Sequence, residues 1–119
     1  MSLPVIGEDA QLIHSFDCKS SNDTQDNWPT GLDIDNNGSI VILDSKNKAI
    51  KIFDHSGDMV EEFSTSPEAG VSTGTPFDVT ILRNGNLAVT DNEHEEIKIF
   101  SRDGEFIKSL RGVLMHKAE

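Results

Sequence analysis

The chain has 119 residues, with 21 acidic and 10 basic side chains and a formal net charge of −11. That length allows one modest core and ordinarily one domain. That charge opposes binding to nucleic acid or anionic lipid, whose phosphates call for Lys and Arg. The single cysteine, Cys18, excludes an internal disulfide and gives no sign of an oxidising compartment.

The first thirteen residues, "MSLPVIGEDAQLI", lack a basic start and a long apolar run. Neither a signal peptide nor a membrane span is expected, and the expected location is cytoplasmic. The triplets at Asn22 and Asn37 that could accept a glycan are then accidental. Residues 9–16, "DAQLIHSF", read as one strand. A polar stretch at 17–28 follows, ending in Trp28 and Pro29.

From there the chain repeats itself. Residues 28–63 lie over 75–110 at an offset of 47 without a gap, and ten of 36 pairs are identical. They include Pro29/Pro76, Asn37/Asn84, Gly38/Gly85, Asp44/Asp91, Lys51/Lys98, Phe53/Phe100 and Gly57/Gly104. Each copy reads as four short strands. The first spans 31–35 or 78–82 and ends in a turn at Asn37-Gly38 or Asn84-Gly85, residues that tolerate positive φ. The second spans 39–43 or 86–90, and in the first copy it is apolar without a break, as in a strand covered on both faces. The third, "AIKIF" or "EIKIF", alternates, so Ile50, Ile52, Ile97 and Ile99 are expected inward and Lys51 and Lys98 outward. A glycine turn leads to the fourth strand at 58–63 or 105–110.

A four-stranded twisted sheet cannot bury both faces alone, and radial stacking of such sheets gives a β-propeller. The period also runs backwards, since Phe16 lies 47 residues before Phe63. The expected fold is all-β: a partial β-propeller with two complete four-stranded antiparallel blades, plus one outer strand of a preceding blade. Blade one is placed at 30–63, blade two at 77–110, the outer strand at 9–16 and a tail at 111–119. Nine strands leave sheet faces and edges open. Self-association, or further blades, is therefore expected.

The stretches "PTGLDIDNNGSIVILDSKNKAIKIFDHSG" and "TPFDVTILRNGNLAVTDNEHEEIKIFSRDG" resemble the NHL-repeat family. The pattern is proline, glycine, apolar strand, Asn-Gly turn, strand ending in Asp, loop, "I-x-V/I-F" and glycine turn. Two positions depart from it: Ala49 and Glu96 stand where the family often has Arg, and Asp78 replaces the Gly31 of the first copy. The resemblance implies a protein-interaction or substrate-recognition module. Its commonest context is the tripartite-motif (TRIM) ubiquitin ligases, where a RING domain elsewhere performs the ubiquitination. One cysteine cannot build a RING here.

Strand direction sends the connections 17–30, 44–49, 64–76 and 91–96 to one face and the tight glycine turns to the other. Longer loops carry recognition more often. The candidate binding residues on that face are Trp28, Lys46, Asn47, Lys48, Asn92, Glu93, His94 and Glu95. Two readings of Trp28 compete: an exposed anchor for a protein partner, or a ring packed between blades. "DNEHEE" (91–96) is either a solvated loop or a contact for a basic partner. Asp44 and Asp91, at the ends of equivalent strands, are expected to accept backbone N–H bonds from the loops that follow. Asn37, Gly38, Asn84 and Gly85 are expected to form structural turns.

Single-stranded RNA binding, known for some relatives of this fold, is the first alternative. The loop face opposes it, with nine acids against three lysines. A fragment of a gluconolactonase-like, metal-dependent hydrolase is the second. Asp33, Asp35, Asn37, Gly38 and Asp44 even mimic a calcium loop, but the second copy keeps only the turn and the final Asp. No metal site, cofactor or catalytic residue is expected, and no catalysis is expected of this chain.

Overall fold

The computed structural model describes residues 15, 17–66, 74–93 and 95–111. They contain eight strands: β1 (Pro29–Ile34), β2 (Ile40–Asp44), β3 (Ala49–Phe53), β4 (Met59–Ser64), β5 (Pro76–Ile81), β6 (Leu87–Asp91), β7 (Glu96–Phe100) and β8 (Phe106–Arg111). These form two antiparallel four-stranded sheets in the orders β1-β2-β3-β4 and β5-β6-β7-β8. The expected outer strand at 9–16 and the tail beyond Arg111 lie outside the described residues. Among the described residues, no helix is long and apolar enough to cross a membrane.

The two copies share their irregularities as well as their strands. Register shifts fall between Pro29 and Gly31 and between Pro76 and Asp78. They recur between Ile52 and Phe53 and between Ile99 and Phe100. The Asn-Gly turns differ from a two-residue hairpin in which both residues take positive φ. Only Gly38 (φ 82°) and Gly85 (φ 92°) are left-handed there. Gly38 N–H donates to Asp35 O at 3.0 Å, and Asp35 N–H donates to Ser39 O at 3.0 Å. The connection is therefore wider than two residues, and the Asp35 carboxylate fills it by accepting the Asn37 and Ser39 N–H groups.

One apolar core joins the sheets. Val41, Leu43, Ile50 and Ile52 of blade one pack with Val79, Leu87, Val89 and Phe100 of blade two, and Phe63 and Ile81 close its margin. Phe63 and Phe100 meet with ring centroids 5.6 Å apart. At the inner edge β1 lies directly on β5. A Cβ built on Gly31 would stand 2.7 Å from Asp78 Oδ1 and 2.9 Å from the Val79 nitrogen. Only a glycine permits that approach.

Polar ties cross the same interface. Asp33 Oδ2 accepts the Ile81 N–H at 2.7 Å and the Thr80 hydroxyl at 3.2 Å. The Ser45 hydroxyl donates to Pro76 O and the Thr30 hydroxyl to Phe77 O, both at 2.7 Å. Arg102 forms an ion pair with Asp35. The two leading carboxylates of the calcium-like stretch thus hold the blades together.

Candidate functional site: the long-loop face

The strand order places 17–28, 45–48, 65–66, 74–75, 92–93 and 95 on one face. The glycine turns lie on the other. The loop before β1 is not a loose connector. Its anchor is Lys51, a β3 residue that alternation alone assigns to solvent. Lys51 is instead fully buried. Its ammonium donates to Cys18 O at 2.6 Å, to both oxygens of Asp23 at 2.8 and 2.9 Å, and to Asp44 Oδ2 at 3.1 Å. Its side of the sheet is covered by the 17–28 loop, which alternation cannot see. Lys98, at the equivalent place in blade two, is also buried, with Glu96 3.7 Å from its ammonium.

Asp44 is the hub of this arrangement. It accepts the Trp28 N–H at 2.9 Å, the Asn27 side-chain amide at 2.8 Å and the Asn47 side-chain amide at 2.8 Å. The Asn47 backbone N–H approaches at 3.5 Å. The donors come from the incoming loop (Asn27, Trp28) as well as from the outgoing one (Asn47). Asp91 accepts from both sides in the same way, through the N–H groups of Gly74 and Glu93, each at 2.9 Å. Burial raises the pKa of Asp44, but the Trp28, Asn47, Asn27 and Lys51 donors outweigh it and bring it down to about 2. For Asp23, too, burial pushes upward and the Lys51 and Asn27 bonds outweigh it, so its pKa lies below the ordinary value. For Lys51 burial pushes downward, and the two carboxylates outweigh it and raise it.

The loop residues singled out from sequence fall into two groups. Asn47 is committed to the scaffold: its Oδ1 accepts the N–H groups of Thr24 and Gln25, and its amide also bonds Gln25 O. Lys48 adopts a left-handed backbone (φ 50°), mirrored by Glu95 (φ 49°), and its carbonyl accepts the Thr65 N–H and hydroxyl. Trp28, Lys46, Asn92, Glu93 and Glu95 are exposed. His94 lies outside the described residues.

Trp28 is 55% exposed, so it is not packed between the blades. Its backbone is nevertheless pinned on both sides, by its N–H to Asp44 and by its carbonyl, which accepts the Ser45 N–H at 3.0 Å. The Lys46 ammonium sits 5.2 Å from the ring centroid. Phe77, on the irregular first turn of β5, is 52% exposed and was not singled out from sequence. Among the described residues, no group of three or more His, Cys, Asp or Glu is placed to hold a metal ion.

Residues 27–53 match the NHL repeat family, so the chain carries an NHL repeat over β1 to β3. A search of curated proteins returns no match. Among solved structures, the chain is similar to virginiamycin B lyase from Staphylococcus aureus in a catalytically inactive form with quinupristin. The identity is 22% and the TM-score 0.60, over 76% of this chain and 29% of that one. A streptogramin B lyase aligns at 18% identity and TM-score 0.57, over 71% and 26% of the two chains. A protein of unknown function from Bacteroides caccae aligns at 12% identity and TM-score 0.52, over 68% and 27%.

The shared fold is the β-propeller, and the described residues form two of its blades. The chain spans less than a third of the length of these neighbours. The sequence-based expectation that catalysis is foreign to such a chain is corrected here, because two of these three neighbours are lyases. At these identities the likeness carries the fold and not the reaction.

Proposed function

We propose that this NHL-repeat chain is a recognition module whose long-loop face binds a protein partner through Trp28. We propose further that it serves as the substrate-recognition arm of a TRIM-like ubiquitin ligase or a related scaffold. The observation that carries the reading is the combination at Trp28. Its indole is half-exposed, while its backbone is fixed to Asp44 within the buried Lys51 network. A large aromatic side chain held rigid in water gives up little conformational freedom on binding, which is the property of an interface anchor.

The charge around it sets the chemistry of the partner. Asp17, Asp26, Glu93 and Glu95 are exposed on the same face, against Lys19 and Lys46. The partner segment is accordingly basic, and one of its Lys or Arg side chains takes the indole face that Lys46 now covers.

A random-peptide display screen on the immobilised chain tests this. Lys- and Arg-containing peptides should be enriched. Trp28→Ala should remove their binding, and Lys46→Ala should preserve or strengthen it. Enrichment that survives Trp28→Ala, or that falls on acidic peptides, would refute the reading. The TRIM-like context predicts RING and B-box coding sequence upstream in the gene, and their absence there would remove that part.

A further inference from the structure

The 47-residue offset compares the two sides of each blade directly. Blade two meets blade one through Val79, Ile81, Leu87, Val89 and Phe100. The equivalent residues of blade one are Leu32, Ile34, Ile40, Ile42 and Phe53. Strand register puts them on one face, with Leu32 opposite Ile42 and Ile34 opposite Ile40. This face is as apolar as its counterpart. Its outer part is already covered, with Ile42 and Phe53 buried against Cys18 of the 17–28 loop, but its inner edge is bare. Leu32 is 59% exposed where Val79 is 4%, and Ile34 is 56% exposed. Apolar hollows of about 350 and 240 Å³ lie over Ile42, beside Leu32 and Cys18 respectively.

We propose that this bare inner edge receives the far face of blade two from a second copy of the chain, head to tail. The contact continues the interface already present between the two blades. The far face of blade two carries Ala88, Thr90, Ile97, Ile99 and Leu110 where blade one carries Val41, Leu43, Ile50, Ile52 and Phe63; Ala88 and Ile99 are already buried, and Thr90, Ile97 and Leu110 are half-buried. Its smaller side chains at positions 88 and 90 face the larger Leu32 in place of Val79. The strand crossing differs. Within the chain Gly31 faces Asp78 and a Cβ there would meet the Val79 backbone; between copies Asp78 takes the place of Gly31, so the two strands cross at a wider separation.

The contact between copies is the weaker of the two. Thr80 and Leu82 stand where Asp33 and Asp35 make their ties, and His55 stands where Arg102 does. Because the two surfaces are different, the contact is heterologous. It propagates until a ring closes, and each copy adds its two described blades to that ring.

Sedimentation or light-scattering mass against concentration tests this on the full 119-residue chain. Assembly to a discrete multimer, reversible on dilution, is expected. Ile34→Glu places a charge at an exposed position, so the fold survives, confirmed by circular dichroism, while the mass falls to that of a monomer. Leu110→Glu should do the same from the other face. An equimolar mixture of the two variants should recover one interface only and stop at a dimer. Three outcomes overturn the proposal: a parent chain that stays monomeric at high concentration, an Ile34→Glu chain that still assembles, or a Leu110→Glu chain that assembles normally. The last would show a symmetric contact between like faces.

Discussion

Replacing Lys51 by methionine keeps most of the apolar stem and removes the ammonium. That ammonium makes contacts of 2.6 to 3.1 Å with Cys18 O, Asp23 and Asp44. The Asp23 and Asp44 side chains are only 8% and 0% exposed, so two carboxylates would be left in the interior without their cation. Removing one partner of a buried pair costs about 3–5 kcal/mol. Asp44 keeps the Trp28, Asn27 and Asn47 donors, which places Lys51→Met at the lower end, about 3 kcal/mol. Urea unfolding followed by far-ultraviolet circular dichroism measures this. Neutralising the stranded acids, in Lys51→Met combined with Asp23→Asn and Asp44→Asn, should return at least half of the loss. A cost below about 1 kcal/mol, the range of an exposed ion pair, would refute the claim that Lys51 is buried and anchors the loop.

The other predictions follow from the same contacts. Asp44 has a folded pKa of about 2 against 3.8 for its ordinary value. Its stabilisation, about 2.5 kcal/mol, is therefore complete above pH 4 and is lost as the pH falls towards 2. An acid titration of stability should show that loss, and Lys51→Met, which raises the folded pKa of Asp44, should flatten it. Gly31→Val drives a side chain into the Val79 backbone and should lower stability by about 1–3 kcal/mol, read as a drop in melting temperature. An unchanged melting temperature would mean that the blades do not cross there. Trp28→Ala removes an exposed ring and leaves the backbone bonds to Asp44 intact, so it should shift unfolding free energy by less than about 1 kcal/mol.

The blades were legible because their signals are local and occur twice. Asn37-Gly38, Asp44 and the "IKIF" segment recur 47 residues on, and each fixes a turn, a strand end or a strand. The position of Lys51 was not legible from alternation, which tells on which side of the sheet a residue lies but not what covers that side. A clue did exist: the spacing Asp44-x6-Lys51 recurs as Asp91-x6-Lys98, and an acid and a base retained together in both copies can be partners. Asp23 and Asn27 carried no such signal, because the 17–28 stretch has no matching letters before β5. The inter-blade role of Asp33 and Asp35 was hidden for a similar reason. Beside their local backbone donors, their partners Ile81, Thr80 and Arg102 come from the other blade, at separations that no local motif records.

The ties between the blades have a consequence for how such a chain can be rearranged. By their strand pattern alone the two copies of the repeat are exchangeable, and recombination between them would reorder or duplicate blades freely. Asp33 and Asp35 occur only in the first copy, and Arg102 and Thr80 only in the second. A chain with its copies transposed would present Thr80 and Leu82 to Ile34 and His55, and would lose every one of these carboxylate bonds. The order of the repeats is thus written into the interface, and unequal crossing-over within this gene is penalised by the structure rather than by the sequence of either blade.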